Sequence, residues 1–550
     1  MNKFACYGKK LQHLCSCSWQ LTRFFIYCCY HDLLFRVNPF LTYILYFISL
    51  SLVGFGVLKA LKPRTLSTPR NIDLFFTSVS AATVSSMSTV EMEVFSNAQL
   101  IVMTVLMFVG GEVFTSMVGL HLKRSKIIRT WKSEAKVESV KSDPRSPPPV
   151  DPSDQIELNI VTVPEWGLAR FESQHDVFSS YNPSLKYVSI KFLGFLVLGY
   201  LVVIHILGVA SVLIYLALVS SANNVLRNKG IKTFTFAIFT IVSTFASCGF
   251  VPTNENMIVF GKNSGLLWIL IPQVLVGNTL FPSCLRFLIW VVGKKIKKVE
   301  ANYLLNHTTE AGYMHLLPSL HSVLLVATVF GFILIGFIIF CSLEWNSAAL
   351  SGLNTYQKVV GILFQCVNAR HSGETIVDLS TIAPAILVFF VVMMYLPPYT
   401  SFLPIKRDEQ SQLESEGKEK RREKFADNLI FSQLSYLASV ATHISSALKN
   451  SFLGQRSICI LSQISIHMML YLSQYLFEFL TFDQNAYGNV GFTTGYSCER
   501  QLRPDPNCVN KWYGFSGKWS DEGKVILIIV MFFGRLKKFN MNGGLAWKLL

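Results

Sequence analysis

Ala246-Ser247-Cys248-Gly249 ends a short, semi-polar segment that begins at Thr233, and a long apolar run lies on each side of it. The two runs, residues 190–219 and 266–292, are long enough as helices to cross a hydrocarbon core of about 30 Å. The segment between them is too short and too rich in hydroxyl groups to cross. Non-helical backbone is tolerated at membrane depth only where it lines water or is buried in protein. The pattern therefore predicts two spans with a re-entrant pore segment between them.

The same order of long run, short segment and long run is repeated along the chain. Further long runs lie at residues 40–58, 98–120, 321–341, 382–403, 457–480 and 525–533, and further short segments at 73–86, 356–372 and about 480–489. These segments end in Ser85-Ser86-Met87-Ser88, Arg370-His371-Ser372-Gly373 and Gly488-Asn489-Val490-Gly491. We therefore predict an all-α membrane protein, with four membrane–pore-loop–membrane repeats (about eight transmembrane helices) around one central pore.

The composition agrees with a membrane protein. Only 15% of the 550 residues are charged and the mean hydropathy is +0.41, whereas a soluble protein has roughly 25% charged residues. The net charge is +16, and its basic clusters follow the second span of each predicted repeat. The positive-inside rule places these clusters, and with them both termini, in the cytoplasm. Clusters that alternate with spans indicate topology and contact with a lipid bilayer, and they argue against a nucleic-acid surface.

These patterns predict the following division of the chain. It has a cytoplasmic N-terminus (1–38), repeat 1 (39–122), a cytoplasmic loop (123–189), repeat 2 (190–293), a loop (294–319), repeat 3 (320–404), a loop (405–439) and repeat 4 (440–550).

The ends of the four short segments are the predicted functional site. A cation sheds water only where other oxygens replace it, and a ring of backbone carbonyls does this when the chain exposes them. Glycine permits the necessary backbone angles. We therefore predict a filter that binds a transported cation through backbone carbonyls at Ser88, Gly249, Gly373 and Gly491. The alternative is that these small residues only allow close helix packing.

Acidic residues follow the predicted filter positions, namely Glu91, Glu93, Glu255, Glu374, Asp378 and Glu499. We expect them at the external mouth of the pore, where Glu91, Glu255 and Glu374 would concentrate cations. Ser88-x-x-Glu91 is also compatible with a helix capping box, which gives Glu91 a structural interpretation.

Two charged residues lie in apolar runs. Glu112 follows Gly110-Gly111, and a buried, hydrogen-bonded acid and an ion ligand are both open interpretations. Arg535 ends the last run, where it either extends to the lipid headgroups or points into the pore as a barrier or an ion-pair partner.

Signatures of common enzyme classes are absent from the sequence. It contains no His-Glu-x-x-His, no Gly-x-x-x-x-Gly-Lys-Ser/Thr and no Gly-x-Ser-x-Gly. We therefore predict no catalytic residue and no cofactor other than the transported ion.

The pore segments resemble those of the plant high-affinity potassium transporter (HKT) family. The resemblance lies in residues 83–97, 245–256, 368–374 and 486–498 and in the ending Gly534-Arg535-Leu536-Lys537-Lys538. It implies the Trk/Ktr fold, monovalent cations as the transported partner, a plasma-membrane location and a possible homodimer with one pore per chain. In the family, serine at the first filter position goes with Na⁺-selective transport, so the resemblance implies passive Na⁺ transport in plant Na⁺ homeostasis and salt tolerance.

Residues 440–484 depart from the family pattern, and the match resumes at Ala486. A mis-spliced or frame-shifted gene model and real divergence are both open explanations. Two alternative functions also stay open, a K⁺–Na⁺ transporter and a non-conducting, degenerate paralogue.

Overall fold

The structure is a computed structural model, and it describes residues 39–65, 68–125, 183–395, 399, 488–491, 495 and 509–540. The regular structure in these ranges is helical. The predicted seventh span (457–480), the atypical stretch 440–484, most of the fourth short segment and Glu499 lie outside the described residues.

The first predicted repeat contains four helices. They are α1 (Pro39–Ala60), α2 (Asn71–Ala82), α3 (Asn97–Gly110) and α4 (Glu112–Ser125). The short helix α2 packs against α1 and α3. A capping box starts α3, since the Ser96 backbone amide donates to Gln99 Oε1 at 3.0 Å while the Gln99 amide donates to Ser96 Oγ.

The second predicted repeat follows the same order. It contains α5 (Pro183–Leu218), α6 (Ser220–Asn228), α7 (Thr233–Phe245), α8 (Ser264–Gly277) and α9 (Phe281–Ile296). The short helix α7 packs against α5 and α8, and also against α3 of the first repeat. Contacts of the short helices therefore join one repeat to the next.

The remaining described helices include the third predicted repeat and the end of the fourth. They are α10 (Val299–Asn306), α11 (Thr308–Ala311), α12 (Ser319–Glu344), α13 (Thr355–His371), α14 (Pro384–Tyr395) and α15 (Asp521–Asn540). The short helix α13 packs against α12, α14 and α8, whereas α15 packs against α1 and α2. The last described helix thus lies beside the first two described helices.

Two predicted continuous spans are broken, which corrects the sequence prediction. Residues 98–120 form α3 and α4, bent by 52°, and residues 266–292 form α8 and α9, bent by 83°. A side chain at Gly110 would overlap the carbonyl oxygen of Ala82, and one at Gly277 would overlap that of Phe245. Each break therefore lies where the long helix meets the last residue of a short helix.

Three described helices, α1, α5 and α12, are long and apolar enough to cross a membrane, and the count rises to five if each bent pair is one span. Their outer faces carry exposed apolar side chains such as Leu52, Ile206 and Leu334. The short helices α2, α7 and α13 are largely buried instead, together with hydroxyl and amide side chains such as Ser80 and Asn368. The polar interior therefore lies along the short helices.

Candidate functional site

The turns after the short helices share an unusual backbone conformation. Left-handed φ angles occur in pairs two residues apart, namely Val84 and Ser86 (52° and 55°), Ser247 and Gly249 (60° and 83°), and Asn489 and Gly491 (54° and 72°). After α13, Gly373 has φ 72°. Because L-residues rarely adopt these angles, their recurrence at one spacing indicates that the turns are equivalent.

Hydrogen bonds give the same alignment for the first two turns. The Ser85 amide donates to the Ser80 carbonyl at 2.8 Å, and the Cys248 amide donates to the Ser243 carbonyl at 2.8 Å. The next residue in each turn has left-handed φ, so Ser86 occupies the position of Gly249.

The turn position equivalent to Gly249 is therefore Ser86, two residues before the Ser88 chosen from the sequence. Ser88 follows Met87, whose backbone amide donates to Ser80 Oγ at 2.8 Å, and Ser88 itself has no left-handed φ. Serine occurs at both position 86 and position 88, so the residue types alone do not show which of them is equivalent to Gly249. The φ angles and hydrogen bonds of the turn identify Ser86.

The four turns converge. A side chain at Gly249 would overlap the carbonyl oxygen of Ser372, and one at Gly491 would overlap Ser86 Cβ and lie 2.6 Å from the Ser85 carbonyl oxygen. Each glycine thus leaves room for the backbone of a neighbouring turn. The close approach to carbonyl oxygens is the geometry that glycine alone permits.

A polar cavity lies at this meeting point. Its volume is about 70 Å³, and Ser86, Gly249, Gly373 and Gly491 all line it, together with Ser88. A water molecule needs roughly 10–15 Å³ of such space, so the cavity has room for a few waters or a partly hydrated ion. Within the described ranges, no three His, Cys, Asp or Glu side chains are grouped as a metal site. Oxygen atoms of the residues that line the cavity are candidate cation ligands.

Side chains beyond the turns connect neighbouring repeats. Asn254 Oδ1 accepts a hydrogen bond from the Glu93 backbone amide at 3.0 Å. In return, the Asn254 backbone amide donates to Glu93 Oε1 at 3.1 Å. Asn256 Oδ1 accepts from the Thr375 amide at 3.2 Å. Asn489 Nδ2 donates to Ser85 Oγ at 2.6 Å. The Asn254 bonds join predicted repeats 1 and 2, the Asn256 bond joins repeats 2 and 3, and the Asn489 bond joins repeats 4 and 1.

The acids expected at the pore mouth have different surroundings. Glu91 lies 3.6 Å from Lys511 Nζ. Glu255 lines the cavity, and both Glu255 and Glu93 form ion pairs with Lys229, at 2.5 and 2.6 Å. Burial lowers the pKa of Lys229, but the hydrogen bonds and charges of Glu255 and Glu93 outweigh it and raise that pKa overall. Lys229 was not foreseen, because it lies 20 residues before Gly249 in a polar stretch.

Glu374 and Asp378 lie in other settings. Glu374 is fully buried, which differs from the expected exposed acid, and its Oε1 accepts from Thr244 Oγ1 at 2.5 Å. Because the backbone turns at Gly373, the Glu374 side chain reaches Thr244 in α7. Asp378 also lines the cavity, and its Oδ1 accepts from the Ser380 amide at 2.9 Å.

A buried ion pair that the sequence did not reveal joins α2 to α15. Lys524 Nζ lies 2.7 Å from Asp73 Oδ1, and the Lys524 side chain has no solvent exposure. Arg70 adds contacts to Asp73 and Asp521, both at 3.1 Å. The two partners are 451 residues apart, so no local pattern links them.

Arg535 is fully enclosed by other residues of the protein, with 1% of its surface exposed. Its guanidinium donates to the Gly110 carbonyl and lies 5.6 Å from the Phe47 ring centre. Gly110 is the last residue of α3, and the last carbonyls of a helix have no partner within that helix. Glu112 and Arg535 interact electrostatically. Glu112 also lines a small cavity together with Phe245 and Ala246. The Arg535 side chain is therefore buried inside the protein, and its role in the pore stays a prediction.

Comparisons with known proteins identify the relatives of this chain. Residues 174–541 match the family described as Cation transport protein, TrkH. Sodium transporter HKT1 of Arabidopsis thaliana is 46% identical over 508 residues, which cover 90% of this chain and 91% of that protein. Cation transporter HKT1;3 of Oryza sativa subsp. japonica is 44% identical over 100% of this chain and 96% of its own length. Probable cation transporter HKT1;4 of the same plant is 42% identical over 92% and 97%.

These matches far exceed what shared membrane composition produces, and they extend over nearly the full length of each relative. The chain therefore belongs to the HKT cation transporters of the TrkH family, which are membrane transporters and not enzymes.

Proposed function

We propose that this protein conducts Na⁺ passively through a filter formed by Ser86, Gly249, Gly373 and Gly491. The observation that carries the proposal is the convergence of these four residues on one polar cavity, each with left-handed backbone. Four membrane–pore–membrane repeats around this cavity are the architecture we infer, with the fourth contributing Gly491 and α15.

The serine gives a physical basis for selectivity. Ser86 brings a Cβ and a hydroxyl into the space beside Gly249 and Gly491, where glycine would leave only backbone. The narrower opening and the added hydroxyl oxygen favour the smaller Na⁺ over K⁺, although cavity size and ligand field both contribute in such filters. Similarity to Sodium transporter HKT1 supports the choice of Na⁺.

The energy for transport comes from the ion gradient and the membrane potential, which is worth about 2.3 kcal/mol per charge per 100 mV. We propose a plasma-membrane location with both termini in the cytoplasm, a role in plant Na⁺ homeostasis and salt tolerance, and a homodimer with one pore in each chain. No cofactor takes part in this mechanism.

The test is Ser86→Gly with Ser88→Gly as the matched control, both measured by voltage clamp in oocytes. Because glycine tolerates the left-handed φ of Ser86, the variant is expected to fold. We expect wild type and Ser88→Gly to show reversal potentials that follow external Na⁺, and Ser86→Gly to respond to K⁺ as well.

Other outcomes separate the alternatives. Equal K⁺ and Na⁺ responses in the wild type would favour a K⁺–Na⁺ transporter. Protein that reaches the cell surface without any cation current would favour a non-conducting paralogue.

A further inference from the structure

The Lys229 ammonium lies between two carboxylates, Glu93 from repeat 1 and Glu255 from repeat 2. Its Nζ is 2.6 Å from Glu93 Oε1 and 2.5 Å from Glu255 Oε2. All three side chains are largely buried, with 17–26% of their surface exposed. This acid–lysine–acid cluster carries a net charge of −1, since one ammonium neutralises only one of the two acids.

The cluster is held in place from several directions. Asn254 forms two reciprocal hydrogen bonds with Glu93. The Arg64 guanidinium donates to the Lys229 backbone carbonyl. At Gly230, φ is 61° and any side chain would overlap Arg64. The ammonium therefore has a defined position, which is not typical of a lysine on a solvated surface.

This position is next to the proposed filter. Glu255 and Asn254 line the same cavity as Ser86, Gly249, Gly373 and Gly491. Moreover, Ca²⁺ binds carboxylate oxygens at about 2.3–2.6 Å, which is the separation of Lys229 Nζ from its two acids. The Lys229 ammonium occupies the position between the two carboxylates that a divalent cation would take in its absence.

We propose that Lys229 is a tethered cation that prevents divalent cations from binding at the mouth of the filter, and so keeps the entrance selective for monovalent ions. The inference rests on the proposed function. Without the ammonium, two carboxylates would face one point with a net charge of −2, and a divalent ion would neutralise them better than Na⁺ does. Such an ion would obstruct the cavity that Glu255 lines.

The experiment compares wild type, Lys229→Gln and Lys229→Arg by voltage clamp, with external Na⁺ fixed and external Ca²⁺ varied. We expect the Ca²⁺ concentration that halves the current to fall about tenfold or more in Lys229→Gln, given two uncompensated carboxylates. Lys229→Arg retains the charge and is expected to resemble wild type. The double variant Lys229→Gln/Glu255→Gln removes one acid as well and is expected to lose most of the added Ca²⁺ sensitivity.

Two results would overturn the proposal. One is a conducting Lys229→Gln variant with wild-type Ca²⁺ sensitivity, and the other is equal sensitivity in Lys229→Arg and Lys229→Gln, which would indicate a packing role.

A second measurement does not depend on current, namely the thermal shift of the purified proteins on adding Ca²⁺. A Ca²⁺-dependent rise confined to Lys229→Gln supports the proposal even if the wild type carries no Na⁺ current, whereas no shift in any variant counts against it.

Discussion

At the level of single residues, the proposed filter requires positions that have no side chain. Gly249 combines φ 83° with a position where a Cβ would overlap the Ser372 carbonyl oxygen. We expect Gly249→Ala to abolish cation current, because the left-handed φ costs a non-glycine residue about 1–3 kcal/mol and the carbonyl must also move. Current normalised to surface protein measures the effect.

Gly56→Ala is the matched control for that substitution. Gly56 lies in α1, and no atom is within 4 Å of a Cβ placed there. Wild-type current is expected, since alanine is favoured over glycine inside a helix. A Gly249→Ala protein that conducts as well as Gly56→Ala would contradict the role of that turn in the filter.

At the scale of helices, the two bent spans are explained by contact with the short helices. Gly277 lies where α8 meets the Phe245 carbonyl at the end of α7. We expect Gly277→Ala to displace the end of α7 and reduce Na⁺ current several-fold, because packed interiors do not absorb an added methyl freely. Gly331→Ala in α12, where a Cβ meets no atom within 4 Å, is the control, and equal currents in the two variants would argue against this contact.

At the scale of the whole molecule, the Asp73–Lys524 ion pair joins the first short helix to the last long one. Lys524→Met leaves the buried Asp73 with the largely exposed Arg70 as its remaining ion-pair partner described here. Removing one partner of a buried pair typically costs about 3–5 kcal/mol, whereas replacing both can be nearly neutral. We expect Lys524→Met to lower the melting temperature of the detergent-purified protein clearly, and Asp73→Leu/Lys524→Met to recover much of the loss. An unchanged melting temperature in Lys524→Met would show that the pair does not stabilise the assembled repeats.

Span length, apolar runs and small-residue turns are local properties of the chain, so the amino-acid sequence was enough to predict the helical membrane class, the family resemblance and the segments of the candidate filter. Gly249, Gly373 and Gly491 could be chosen in this way. The equivalence of Ser86 with Gly249 emerges only in the folded chain, since the alignment depends on φ angles and on hydrogen bonds counted from the helix end. The fold likewise reveals that two spans bend, that Glu374 is buried, and that Lys229 and Lys524 pair with distant acids. These features arise from contacts between residues far apart in the chain, and no pattern of neighbouring residues specifies which distant charge or carbonyl will lie opposite.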